Sequence, residues 1–169
     1  MKKFELTAEF VTNVFGKKLF RIKALVAFGN VEKGELGGFI EKEDNLSHDG
    51  DAWVYGNAQV SGNARVYGDA QVSGDALVSG NARVSGNARV YGDADYAVVK
   101  GFGRCFRTTT FFRCKDKILR VQCGCFYGDL AQFREIVKKT HGDSKYAKEY
   151  LAIADLMELH FSDECGGEQ

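Results

Sequence analysis

Residues 50–94 read GDAWVY GNAQVS GNARVY GDAQVS GDALVS GNARVS GNARVY GDA, and the spacing within them decides the architecture. Val54, Val60, Val66, Val72, Val78, Val84 and Val90 recur every six residues, and Ala52, Ala58, Ala64, Ala70, Ala76, Ala82, Ala88 and Ala94 keep the same beat. Six is no helical period, and glycine at every sixth place would penalise a helix by roughly 1 kcal/mol each time. An antiparallel meander of such short strands would leave long unpaired edges and bury little. A coil satisfies every position: each hexapeptide supplies a short strand and a corner, and successive coils stack ~4.8 Å apart. Valine points inward, alanine fills the tight corner, and the Gly-Asn or Gly-Asp pair bends the chain through backbone angles that these residues tolerate.

The repeated aliphatic, any, Gly, Asn or Asp, Ala, any pattern resembles the hexapeptide-repeat family. That resemblance implies a left-handed triangular prism with three hexads per turn. Val54, Val72 and Val90 would then stack on one wall, Val60 and Val78 on the second, and Val66 and Val84 on the third. The expected fold is mainly β: a short left-handed parallel β-helix of about two and a half coils, closed by a cap at each end because a solenoid cannot bury its terminal coils alone.

The flanks read as those caps. Residues 17–28, KKLFRIKALVAF, are strand-like, and residues 29–50 are turn-rich around Phe39 and Ile40. After Asp95, AVVKGF, RTTTFFRCK and KILRVQCGCFYG form three β-rich runs. Two helices follow. Asp129 and Gln132 make a capping box, Leu130, Phe133 and Val137 form the first stripe, and Gly142 ends it. Tyr146, Tyr150, Ile153, Ala154, Met157 and Phe161 form the second. The chain thus divides into an N-terminal β cap over 1–49, the β-helix over 50–95, an α+β unit over 96–162 and a flexible tail over 163–169.

Lysine plus arginine equals aspartate plus glutamate, which gives no global attraction to duplex nucleic acid or an acidic membrane. No apolar run approaches the ~18 residues of a membrane span, and no leader precedes the first strand-like segment, so the reading is a soluble, cytoplasmic protein. Five cysteines without a regular framework favour free thiols in a reducing compartment. If residues 117–128 are one strand, Cys123 and Cys125 share a face, where a zinc site competes with plain burial; burial is the expectation, and no metal or cofactor is assigned. The order of segments across most of the chain also resembles uncharacterised hexapeptide-repeat proteins of bacteriophages and prophages, which implies a setting in the host bacterial cytoplasm.

Three functions compete. Many hexapeptide-repeat proteins are acyltransferases with a histidine base in a loop between coils and an acyl-coenzyme A donor. Here the coils hold neither histidine nor insertion, since His48, His141 and His160 lie outside them, and no catalytic residue is assigned. A structural or assembly role is the second possibility. The leading expectation is a non-catalytic binder, a phage-type counter-defence factor that sequesters a small anionic, nucleotide-type signal or blocks a host immune protein.

Its basis is local charge. Residues 96–125 carry seven cations against the single anion Asp116. Arg104, Arg107, Thr109, Arg113, Lys115 and Arg120 are the candidate anion-binding residues, because arginine forks, short hydroxyls and nearby phenyl rings suit a phosphate and a base. A competing reading has these cations solvating a sheet and pairing with acidic helices. On the prism's outer positions Trp53, Tyr55, Arg65, Tyr67, Arg83, Arg89 and Tyr91 are the types that interfaces favour, and a homotrimer with grooves between subunits is the expected assembly.

Overall fold

The computed structural model describes residues 1–92 and 95–162. Asp93 and Ala94 of the last repeat, and the tail 163–169 with Cys165, lie outside the described residues. The chain opens with β1 (Phe4–Thr12), β2 (Lys18–Ala24) and β3 (Leu36–Ile40). Seven two-residue strands follow: β4 (Trp53–Val54), β5 (Gln59–Val60), β6 (Arg65–Val66), β7 (Gln71–Val72), β8 (Leu77–Val78), β9 (Arg83–Val84) and β10 (Arg89–Val90). They pair in parallel at the expected offset, with Val54 on Val72 and Val72 on Val90, Val60 on Val78, and Val66 on Val84. All seven valines and the alanines from Ala52 to Ala88 are fully buried, so this stretch is a repeat β-solenoid.

The N-terminal cap is continuous with the coils. β1 pairs antiparallel with β2 and β2 with β3, while β3 turns parallel and adds to the wall of β5 and β8. Ile40 lies on Val60 and Leu46 on Val66, so two positions six residues apart prolong two of the apolar stacks before the recognisable repeats begin. Between them, a 3-10 turn at Glu43–Asn45 buries Asn45 one residue before Leu46. The sequence reading missed β1, although Phe4, Leu6, Ala8 and Phe10 alternate with polar residues, the mark of a strand with one covered face.

Beyond the coils, β11 (Tyr96–Phe102), β12 (Arg107–Arg113), β13 (Leu119–Cys123) and β14 (Phe126–Asp129) form an antiparallel sheet in sequence order. The third expected run is therefore two strands, joined by a two-residue turn in which Gly124 takes φ +58°, as a tight hairpin requires at its first central residue. Helices α1 (Leu130–His141) and α2 (Lys145–His160) pack on this sheet. The capping box holds: the Asp129 carboxylate accepts from Gln132 N at 2.8 Å, and the Gln132 side chain accepts from Asp129 N at 3.0 Å. Gly142 ends α1 at φ +57°. Of the two expected stripes, Leu130 is half-buried and Tyr146 is exposed, with Ala147 taking the inward place.

Strand β12 is covered on both sides. Side chains alternate across a strand, so Phe112 joins the solenoid core while its neighbour Phe111 joins the core beneath the helices.

Candidate functional site

The sheet sits on the solenoid through polar contacts as well as Phe112. Ala88 bridges Cys114, Lys115 N donates to the Asn87 carbonyl at 2.9 Å, and Arg83 N donates to Thr110 Oγ1 at 3.1 Å. Ser85 Oγ donates to Gln122 Oε1 at 3.2 Å, and the Tyr96 hydroxyl donates to the Leu77 carbonyl. These links close the last coil and bring its outer positions against the basic segment.

One cleft so formed has a volume of about 450 Å³ and joins Arg89 and Tyr91 of the solenoid to Asp95, Arg113, Cys114, Lys115 and Lys117. Two outer solenoid positions, Arg89 and Tyr91, and part of the basic segment therefore line one cleft. Tyr91 presents its ring at 60% exposure. Arg89 is oriented from below, its Nη1 donating to the Asp69 and Ala88 carbonyls, each at 3.0 Å. Arg113 spans the wall: Nη2 donates to the Phe161 carbonyl at 3.1 Å and Nε faces Asp95 Oδ1 at 3.5 Å. Asp95 also accepts from Tyr91 N at 2.8 Å, which fixes the rim. Lys115 and Lys117 are exposed and have no carboxylate within 4.0 Å among the described residues. The nearest acid in sequence, Asp116, accepts from Ile118 N at 3.0 Å and pairs with Arg120 at 2.8 Å. Those two contacts, the backbone N–H first, hold its carboxyl below the usual range. Burial pushes the Cys114 thiol up, so it stays protonated beside these cations.

The six expected anion ligands do not form one cluster. Arg113 and Lys115 line this cleft, and Lys117 completes it, a residue legible only in the charge count. Arg104 and Arg107 are exposed by the β11–β12 turn, away from this cleft. Arg120 is tied to Asp116. Thr109 is buried, with its hydroxyl on Cys123 Sγ at 3.2 Å. Among the outer solenoid positions, Arg65 and Arg83 stack in exposed register, and Tyr55 and Tyr67 are half-buried. Arg83 also meets Arg107 around a second cleft of about 370 Å³ with Asn63 and Asn81. Trp53 is no surface residue: it is fully buried under the N-terminal hairpin, edge-on to Phe28 and Phe4 with ring centroids at 5.3 and 6.3 Å.

The histidines are engaged away from the coils. His48 stacks on Phe4 at 4.2 Å and accepts from Lys3 N at 3.1 Å. His141 lies on α1 against Tyr150 at 5.8 Å, and His160 packs on Phe161 at 4.9 Å. The hairpin turn at Gly124–Cys125 separates Cys123 from Cys125, so the two do not alternate along one strand.

A family model described as the YdcK β-solenoid repeat matches residues 58–71, 70–84 and 82–94. The chain is similar to that repeat over this stretch, in agreement with the parallel ladders of β5 to β10. No curated protein matches the chain. Among the described residues, no helix is long and apolar enough to cross a membrane.

Proposed function

We propose that this protein is a non-catalytic binder that holds a small anionic ligand of nucleotide type in the cleft between the last solenoid coil and the β11–β14 sheet. The observation that carries this reading is the convergence of Arg89, Arg113, Lys115 and Lys117 around one exposed tyrosine ring, with Asp95 the one carboxylate among the described residues that line the cleft. Lys115 and Lys117 supply mobile charge for a phosphate, the pre-oriented Arg89 and Arg113 shape the wall, and Tyr91 offers a face for a base. With its histidines outside the coils and packed on aromatic neighbours, the chain offers an acyl-transfer base no obvious place there, which favours binding over acyltransferase chemistry.

The solenoid winds left-handed through about two and a half coils, copies assemble as a trimer through outer walls carrying Arg65 and Arg83, and the protein acts in the bacterial cytoplasm as a phage-encoded counter-defence factor. A host immune protein is the other partner this reading admits. Its support is the hexapeptide pattern and the segment order, together with the basic cleft.

Native mass spectrometry and calorimetric titration with cyclic and linear nucleotides test the proposal. An intact nucleotide should bind, and Lys115→Gln with Lys117→Gln should weaken it at least tenfold without lowering the melting temperature. Unchanged affinity in that double variant, or no uptake across the panel, would overturn the assignment of this cleft.

A further inference from the structure

The opposite face of the sheet carries a different kind of hollow. It lies between the β11–β12 turn, the β13–β14 hairpin and α1, with a volume of about 450 Å³, within the ~300–1,000 Å³ range of small-molecule sites. Its wall is a chain of rings: Phe126 meets Phe133 at 5.8 Å, Phe133 meets Tyr150 edge-on at 5.7 Å, and Tyr150 stacks on His141 at 5.8 Å and 28°. Phe133, Val137 and Tyr150 belong to the core beneath the helices, so this wall is preformed.

The rim is cationic. Arg104 and Arg107 line the hollow, are exposed, and have no carboxylate within 4.0 Å among the described residues. The nearby Glu149 is spent on Gly103 N, which it accepts at 2.8 Å. Arg107 lies across the hairpin turn so closely that a Cβ on Gly124 would collide with its guanidinium. The glycine thus opens the space in which Arg107 sits. The thiols of Cys105, Cys123 and Cys125 also border the hollow, but no group of three His, Cys, Asp or Glu side chains among the described residues is placed to hold a metal ion.

We infer that this hollow binds a small amphipathic acid, an aromatic or short acyl body on the ring wall with one carboxylate or phosphate head between Arg104 and Arg107. A polyphosphate would leave most of its charge against phenyl rings, and a neutral apolar molecule would leave the arginines unused. The site is separate from the solenoid cleft and takes a different ligand class.

Titration with 4-phenylbutyrate, phenyl phosphate, octanoate, the neutral 4-phenylbutanol and inorganic phosphate tests it. At least one acid should saturate, with the alcohol tenfold or more weaker and inorganic phosphate not saturating; whichever acid binds tightest identifies the head group and body. Arg104→Gln with Arg107→Gln should weaken the acid about tenfold at unchanged melting temperature, and Ile136→Trp, which fills the hollow from α1, should abolish binding. Lys115→Gln with Lys117→Gln should leave acid affinity intact, which separates this site from the nucleotide cleft. No binding by any acid, equal affinity for acid and alcohol, or retained affinity in the arginine double variant would overturn the inference.

Discussion

The side-chain amide of Asn45 donates to the Ala64 carbonyl at 2.9 Å from a fully buried position. The same amide nitrogen donates to the Gly62 carbonyl at 3.1 Å, and Asn45 Oδ1 accepts from Lys42 N at 2.8 Å. One side chain thus satisfies main-chain groups of the cap and of the coil above it.

Removing that amide leaves carbonyls desolvated without partners, which costs ~1–3 kcal/mol for a buried polar group. Asn45→Ala should lose about 2 kcal/mol or more in urea unfolding, whereas Asn63→Ala, at an exposed corner, should change little.

Trp53 is the only tryptophan, and its Nε1 is buried with no hydrogen-bond partner among the described residues. Its fluorescence should be blue-shifted in the folded protein and move to the red on unfolding. Trp53→Ala should cost ~3–5 kcal/mol as a cavity between Phe4 and Phe28. Trp53→Phe should cost distinctly less, because it keeps an aromatic body and removes the orphan donor. Urea midpoints of the two variants compare them directly.

Corner glycines should differ in tolerance. Gly80 and Gly74 both hold positive φ, at +66° and +63°, so an added Cβ costs ~1–2 kcal/mol at either through backbone strain. At Gly80 nothing lies within 4 Å of that Cβ, whereas at Gly74 it would run into the Tyr91 carbonyl oxygen. Gly74→Ala should therefore destabilise markedly more than Gly80→Ala, by thermal melting, and should also disturb the nucleotide cleft that Tyr91 borders.

Lys3 should give the stability a pH dependence on the alkaline side. Its ammonium donates to the Ala52 carbonyl at 2.8 Å and faces the Phe28 ring at 4.5 Å. Burial lowers its pKa from 10.5 to about 8, against the opposing pull of Asp51, Asp49 and Asp69. The unfolded chain then binds the proton more tightly than the folded one, so this contribution to stability rises with pH from about 8 towards 10.5. The difference between wild type and Lys3→Met in urea midpoint should change across that window and stay flat below it. A constant difference would show that Lys3 titrates normally in the fold.

The hexad period carried the buried valines and alanines and the glycine corners directly, because each hexad repeats the same local geometry, whereas the stacking of every third hexad was implied by the family resemblance and is seen in the pairing of Val54 with Val72 and of Val60 with Val78. Asp129, Gln132 and Gly142 marked the ends of α1 for a similar reason: caps are made within a few residues. The period fixes inside and outside only relative to the coil axis. It could not show that β1 and β2 fold back over Trp53, nor that Thr109, on a strand sandwiched between two cores, is closed to solvent. Charge counting found the basic segment, yet which of its cations share a surface depended on the sheet's pairing. That pairing sends Arg113 and Lys115 to the solenoid cleft and Arg104 and Arg107 to the ring-walled hollow, since strand register and a turn at Gly124 are set by contacts distant in sequence.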